Sequence, residues 1–132
     1  MAIIESAYYK SPIGIVKITT DEYFVTGLVF TDEETTGLTN CNIIPSLPLQ
    51  QCRQQLDEFF NGERKHFTIP LKQPGTAFQQ RVWDELANIP FGKTVSYLQL
   101  SKQLGDAKAI RAVAASNGKN KISILVPCHR VV

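Results

Sequence analysis

The chain is poor in the residues that build disulfide scaffolds, metal sites and membrane spans. Its three cysteines, Cys41, Cys52 and Cys128, are odd in number and far apart, and no C-x-x-C occurs. That spacing excludes a disulfide framework and fits a reducing compartment, so a cytoplasmic location is expected. No apolar run approaches the roughly 20 residues that a membrane helix needs, so no membrane partner is expected. The start, "MAIIESAYYK", has neither a basic segment nor the apolar core of a signal peptide. Only two histidines are present, and His66 lies far from His129. A metal centre is therefore not expected. Acidic residues are also scarce in one half. Residues 91–132 carry seven Lys/Arg against Asp106 alone, a net +6, whereas residues 1–90 carry a net −4. A basic half on an acidic one points either to a polyanionic partner or to solubility alone.

A hydrophobic fraction of 43% over 132 residues is enough for one ordinary domain or two small ones. Three stretches rich in β-branched and aromatic residues, "IIESAYYKS", "GIVKITTD" and "YFVTGLVFTD", are separated by turn residues and predict an antiparallel meander. Residues 33–47 have no period and predict a loop. "PLQQCRQQLDEFFNGE" sets Leu49, Cys52, Leu56, Phe59 and Phe60 at helical spacing, with Asn61-Gly62 as a stop and Cys52 in the core. "HFTIPL" predicts a short strand, and "LKQPGT" a hinge between halves.

The second half is helical. Thr76 caps a helix whose inner face is Phe78, Val82, Leu86 and, less centrally, Trp83; Ser96 caps a second over "YLQLSKQL", closed by Gly105. Asp106 caps a third over "AKAIRAVAASNG", which Asn117-Gly118 ends. The last two helices have the spacing of a helix-turn-helix. At about 100° per residue, Ile110, Val113 and Ala114 of the third helix face inward. Lys108, Arg111, Ala112 and Ala115 face outward. Cations among alanines suit close approach to a minor groove, with Arg111 free to enter a base stack, or else form an ordinary surface helix.

The chain closes on "ILVPCHRVV". Cysteine reacts as its thiolate, and His129 and Arg130 are neighbours able to favour that form, while Pro127 fixes the backbone entering Cys128. Adjacent side chains diverge, so a water between Cys128 and His129 is easier to build than a direct bond. Cys128 is then either a nucleophile or an inert buried thiol.

"VPCHRVV" together with "TVSYLQLSKQLGDAKAIRAVAASNGKN" closely resembles the O6-alkylguanine-DNA alkyltransferases (methylated-DNA–protein-cysteine methyltransferases). The resemblance is strong over residues 76–132 and weaker over 1–75. It implies an α+β fold, with a ribonuclease-H-like antiparallel sheet and helix over residues 1–74. Residues 75–132 would form a winged-helix-like helix-turn-helix domain carrying P-C-H-R. It makes Cys128 the alkyl acceptor, with His129 polarising a water that takes the thiol proton. Arg111 matches the family's arginine finger, Tyr97 the tyrosine that helps to rotate the nucleotide's 3′ phosphate, and Asn120 the asparagine that steadies the site. Lys108, Ala112 and Ala115 would meet DNA beside them, with Pro127 and Arg130 as active-site support. The implied partner is double-stranded DNA containing O6-alkylguanine. The implied protein is a monomer without cofactors that acts once per molecule.

The chain departs from the family at Ala114, commonly Gly, and at Lys121, commonly Pro. The family also continues past P-C-H-R-V through a Gly/Ser-rich loop into a last helix, whose glutamate orients the histidine. That segment is absent from this sequence, which predicts a truncated or incompletely represented chain with poor transfer as it stands. Three readings follow: a single-turnover repair enzyme, a non-catalytic module that binds alkyl lesions, and a cysteine hydrolase or redox thiol unrelated to DNA. Non-catalytic relatives typically carry Trp in place of the cysteine, so Cys128 favours the enzyme.

Overall fold

A computed structural model describes residues 4–32 and 47–132 and divides the chain into two compact units, residues 1–73 and 74–132. In the first unit the alternation of the sequence becomes a three-stranded antiparallel sheet in the order β1-β2-β3, with β1 Glu5–Ser11, β2 Gly14–Thr20 and β3 Val25–Thr31. Val16, Ile18 and Thr20 of β2 alternate inward and are fully buried. The β1–β2 turn is tied by Ser11, whose hydroxyl donates to the Gly14 carbonyl at 2.6 Å and accepts from the Ile13 amide. At the β2–β3 turn the Asp21 carboxylate accepts the Tyr23 and Phe24 amides, and these two bonds hold its pKa below the ordinary value. A bulge between Thr19 and Thr20 shifts the register, so Thr20 pairs with Val25.

Helix α1, Leu47–Phe60, packs Leu49, Cys52 and Leu56 against the sheet. Gly62, at φ +78°, turns the chain after it. The loop predicted over 33–47 lies outside the described residues except for Leu47, which opens α1, and Cys41 lies outside them too.

The strand expected over "HFTIPL" is not formed. Pro70 has no amide to give a ladder, and the segment makes one isolated parallel bridge, Leu71 to Val25. The backbone partners of a strand are supplied instead by a buried side chain. The Gln55 amide accepts the Thr68 N–H at 2.9 Å and donates to the Thr68 hydroxyl at 2.8 Å.

The second unit is built on α2, Ala77–Ala87, α3, Tyr97–Gln103, and α4, Ile110–Gly118. Thr76 and Ser96 cap α2 and α3 as expected, each in a reciprocal capping box, with Gln79 and Gln99 respectively. Gly105 adopts φ +92°, the left-handed geometry that ends α3. Val82 and Leu86 are fully buried, each worth about 1.5–3 kcal/mol of burial.

Four details differ from the sequence reading. Trp83 rather than Phe78 completes the inner face of α2, because its indole N–H finds the Ser116 carbonyl at 2.9 Å. Asp106 does not cap α4. Its carboxylate accepts the Lys108 amide and its carbonyl the Ala109 amide, a turn that delays the helix to Ile110. The inward face of α4 is consequently Val113 and Ser116, and Ile110 stands exposed beside Arg111. Gly118 is the last residue of α4 itself, and Lys119 caps it in the right-handed region. Among the described residues no helix is long and apolar enough to cross a membrane.

Candidate functional site

The segment leading to Cys128 is apolar and irregular. Ile124 has φ +72°, and the Leu125 amide bonds the Ser123 carbonyl two residues back at 2.8 Å. This is the strained form of γ-turn, and in a β-branched residue such a conformation costs on the order of 1–3 kcal/mol. A second i-to-i+2 bond follows at once. The Cys128 amide donates to the Val126 carbonyl at 2.8 Å across Pro127, whose φ −80° and ψ 68° make the common inverse γ-turn.

Asn120 holds this doubly bent segment. Its side-chain oxygen accepts the Ile122 amide at 3.1 Å, and its amide nitrogen donates to the Val126 carbonyl at 3.0 Å. Ile122, Ile124, Leu125 and Val126 are all buried, so apolar packing supports the bend.

Cys128, His129 and Arg130 then form a single 3-10 turn. With three residues per turn, the Cys128 and His129 side chains leave the backbone about 120° apart. Cys128 is half-buried and His129 exposed. The imidazole is nevertheless held below its ordinary pKa of 6.5, first by the water it loses to surrounding protein and second by the Arg130 cation. It is therefore neutral at pH 7 and able to accept a proton.

Arg130 is committed elsewhere than the thiol. Its guanidinium donates to the Ile89 carbonyl at 2.7 Å and lies 5.8 Å from the centroid of the Phe91 ring. Beyond it, the Val95 amide bonds the Arg130 carbonyl and the Val132 amide bonds the Val95 carbonyl, each at 2.9 Å. This parallel bridge ties the turn to the segment that enters α3.

Tyr97, half-buried, is the first residue of α3. Arg111, Ala112 and Ala115 are exposed on α4, while Lys108 is exposed on the turn before it. One residue of this neighbourhood is not among the expected site residues. Asn117 reads as a helix stop because glycine follows it, yet its side-chain amide donates to the Tyr97 hydroxyl at 3.1 Å and to the Cys128 carbonyl at 3.4 Å. No signal in one sequence separates these two uses of an Asn-Gly pair. Among the described residues no group of three or more His, Cys, Asp or Glu side chains is placed to hold a metal ion.

Comparison with known proteins accounts for both units. Residues 4–73 match the family described as "6-O-methylguanine DNA methyltransferase, ribonuclease-like domain". Residues 77–132 match "6-O-methylguanine DNA methyltransferase, DNA binding domain". A constitutive methylated-DNA–protein-cysteine methyltransferase of Bacillus subtilis is 41% identical over 129 residues, covering 93% of this chain and 77% of the relative. A methylated-DNA–protein-cysteine methyltransferase of Haemophilus influenzae is 37% identical, covering 100% and 75%.

Among solved structures, the O6-methylguanine methyltransferase of Mycobacterium tuberculosis superposes with a TM-score of 0.84 at 34% identity, over 98% of this chain and 79% of that one. The same organism's protein in complex with DNA superposes at 0.81 with 36% identity, over 98% and 77%. With family matches over both units and relatives at these identities, the chain belongs to the 6-O-methylguanine DNA methyltransferase family.

Proposed function

We propose that this chain repairs DNA by direct reversal, transferring a methyl or other alkyl group from O6 of guanine irreversibly to its own Cys128. The observation that carries this reading is the half-buried Cys128 on a braced turn, in the unit that matches the family's DNA-binding domain.

The chemistry balances without a cofactor. The Cys128 sulfur forms a bond to the alkyl carbon as the carbon–O6 bond breaks, and guanine leaves with the electron pair and takes up a proton from water, balancing the thiol proton lost. The thiol proton passes through a water to the neutral His129 imidazole. No atom changes its oxidation state in a way that calls for an electron carrier. The product is a thioether, which is stable, so each molecule acts once.

An alkylated guanine pairs badly, and turning it out of the duplex therefore costs less than turning out a normal base. Tyr97 assists by holding the rotated 3′ phosphate, and Arg111 fills the gap left in the stack. Ala112 and Ala115 let α4 lie close in the minor groove, with Lys108 on a neighbouring phosphate. Asn120, Pro127 and Arg130 hold the acceptor turn. DNA is the partner, and the protein works as a monomer in the cytoplasm on O6-alkylguanine in duplexes. The ribonuclease-like domain takes residues 1–74 and the acceptor domain 75–132, a division supported by the change of unit after Gln73.

Cys128→Ser tests the assignment. It is expected to lose transfer completely while binding duplex within about twofold of the unaltered chain, because the thiol is acceptor and not anchor. Transfer by this variant would overturn the reading.

A further inference from the structure

Asn117 lies in the last turn of α4 and reaches two other elements with one nitrogen. Its Nδ2 donates to the hydroxyl of Tyr97 at the start of α3 and to the carbonyl of Cys128 at the start of the 3-10 turn. The carbonyl fixes which end of the amide faces this pair. A carbonyl can only accept, so the atom before it must be the NH2 group and not the oxygen. The amide oxygen is then left buried with no partner among the described residues. Leaving a buried acceptor unpaired costs about 1–3 kcal/mol, and groups kept in that state are common at functional positions. Turning the amide over would be worse, since two oxygens would face each other and both N–H groups would lose their acceptors.

The orientation has a consequence for Tyr97. A hydroxyl that accepts from the amide keeps its own proton for another partner. We propose that Asn117 is a positioning residue that makes the Tyr97 hydroxyl a hydrogen-bond donor toward DNA and locks it to the backbone of the alkyl acceptor. The inference rests on the assignment of Tyr97 to DNA given above. A phosphate oxygen or a base acceptor receives a donor, and an unconstrained hydroxyl can turn its lone pairs that way instead. The same contact fixes the distance between the residue that meets the displaced nucleotide and the one that takes its alkyl group. Sub-ångström placement of that kind is what a displacement in line requires.

The test is a double-mutant cycle on the full chain, reading the second-order rate of single-turnover repair of a duplex with one O6-methylguanine. Asn117→Ala is expected to slow repair about tenfold when Tyr97 is present but at most about threefold in a Tyr97→Phe background, since its effect passes largely through the hydroxyl. Asn117→Asp keeps the volume but cannot donate, and is expected to lose at least as much as the alanine variant. It also carries the test if Asn117→Ala fails to fold, which thermal melting of each variant will reveal.

Equal losses with and without the Tyr97 hydroxyl, or full activity in Asn117→Asp, would overturn the positioning role while leaving the assignment of Tyr97 intact. An unimpaired Tyr97→Phe would instead overturn that assignment, and this inference with it.

Discussion

The two units use the same kinds of residue to opposite ends, and their cysteines show it most sharply. In the first unit Cys52 is fully buried between α1 and the sheet, and burial pushes its thiol up to about 12. Its backbone is regular helix, and its spacing with Leu49 and Leu56 is that of any core stripe. In the second unit Cys128 is half-exposed on a three-residue turn reached through two γ-turns, one of them strained. A thiol held in a regular element by apolar neighbours is inert. A thiol on a half-exposed turn can be reached by reagents. The first unit supplies a packed sheet, and the second accepts conformational cost to leave the Cys128 thiol half-exposed.

The largest effect expected from breaking this contrast is on transfer itself. Cys128→Ala should reduce methyl transfer by more than about a thousandfold, whereas Cys52→Ala should leave the rate within about twofold. Cys52→Ala should instead lower unfolding free energy by about 1–2 kcal/mol, measured by urea titration, as the price of a small cavity. Iodoacetamide at pH 8 followed by peptide mapping should label Cys128 and spare Cys52 until the protein unfolds.

Arg111→Ala should slow repair of duplex by about ten- to a hundredfold but reaction with free O6-benzylguanine by less than about twofold, because a free base needs no extrusion. Equal losses on the two substrates would remove Arg111 from base extrusion and leave α4 as an ordinary surface helix.

The pH profile should report His129. Its pKa is depressed, so the imidazole is neutral above 6.5, and transfer falls only once pH drops through the lowered value, about tenfold per unit below it. Arg130→Gln should move that midpoint upward, though modestly, since lost water is the larger cause of the shift. A midpoint above 6.5 in the unaltered chain would contradict the neutral base.

The smallest effect on transfer, none, is expected from a packing change at the start of α2. A Cβ at Gly75 would lie 2.6 Å from the Trp83 ring. Gly75→Ala should therefore destabilise the second unit by about 1–3 kcal/mol in a urea titration without changing the transfer rate of the folded protein.

The regular elements were legible because each depends on a short-range signal. Alternation gave β1 to β3, the 3-4 spacing gave α1, and Thr76 and Ser96 marked the starts of α2 and α3. What escaped was set by tertiary partners. "HFTIPL" has strand composition, but Pro70 and the Gln55–Thr68 pair take it out of the sheet. The bend of "ILV" before Pro127 is held by Asn120, which a local reading does not connect to it. Ile110 looks like core until the Asp106 turn delays the helix by three residues. Cys128 stood out by its neighbours and Arg111 by its place among alanines, Tyr97 by family resemblance alone, while Asn117 is marked only by the convergence of three elements on one amide.

The central claim is that Cys128 itself receives the alkyl group. Intact-mass spectrometry after prolonged incubation of the chain with an equimolar duplex containing one O6-methylguanine, long enough for slow transfer to finish, tests it directly. The account predicts a single increment of about 14 Da, mapped by peptide fragmentation to Cys128 and not exceeded with excess DNA. An unchanged mass, or a methyl group found on Cys41 or Cys52, would contradict it.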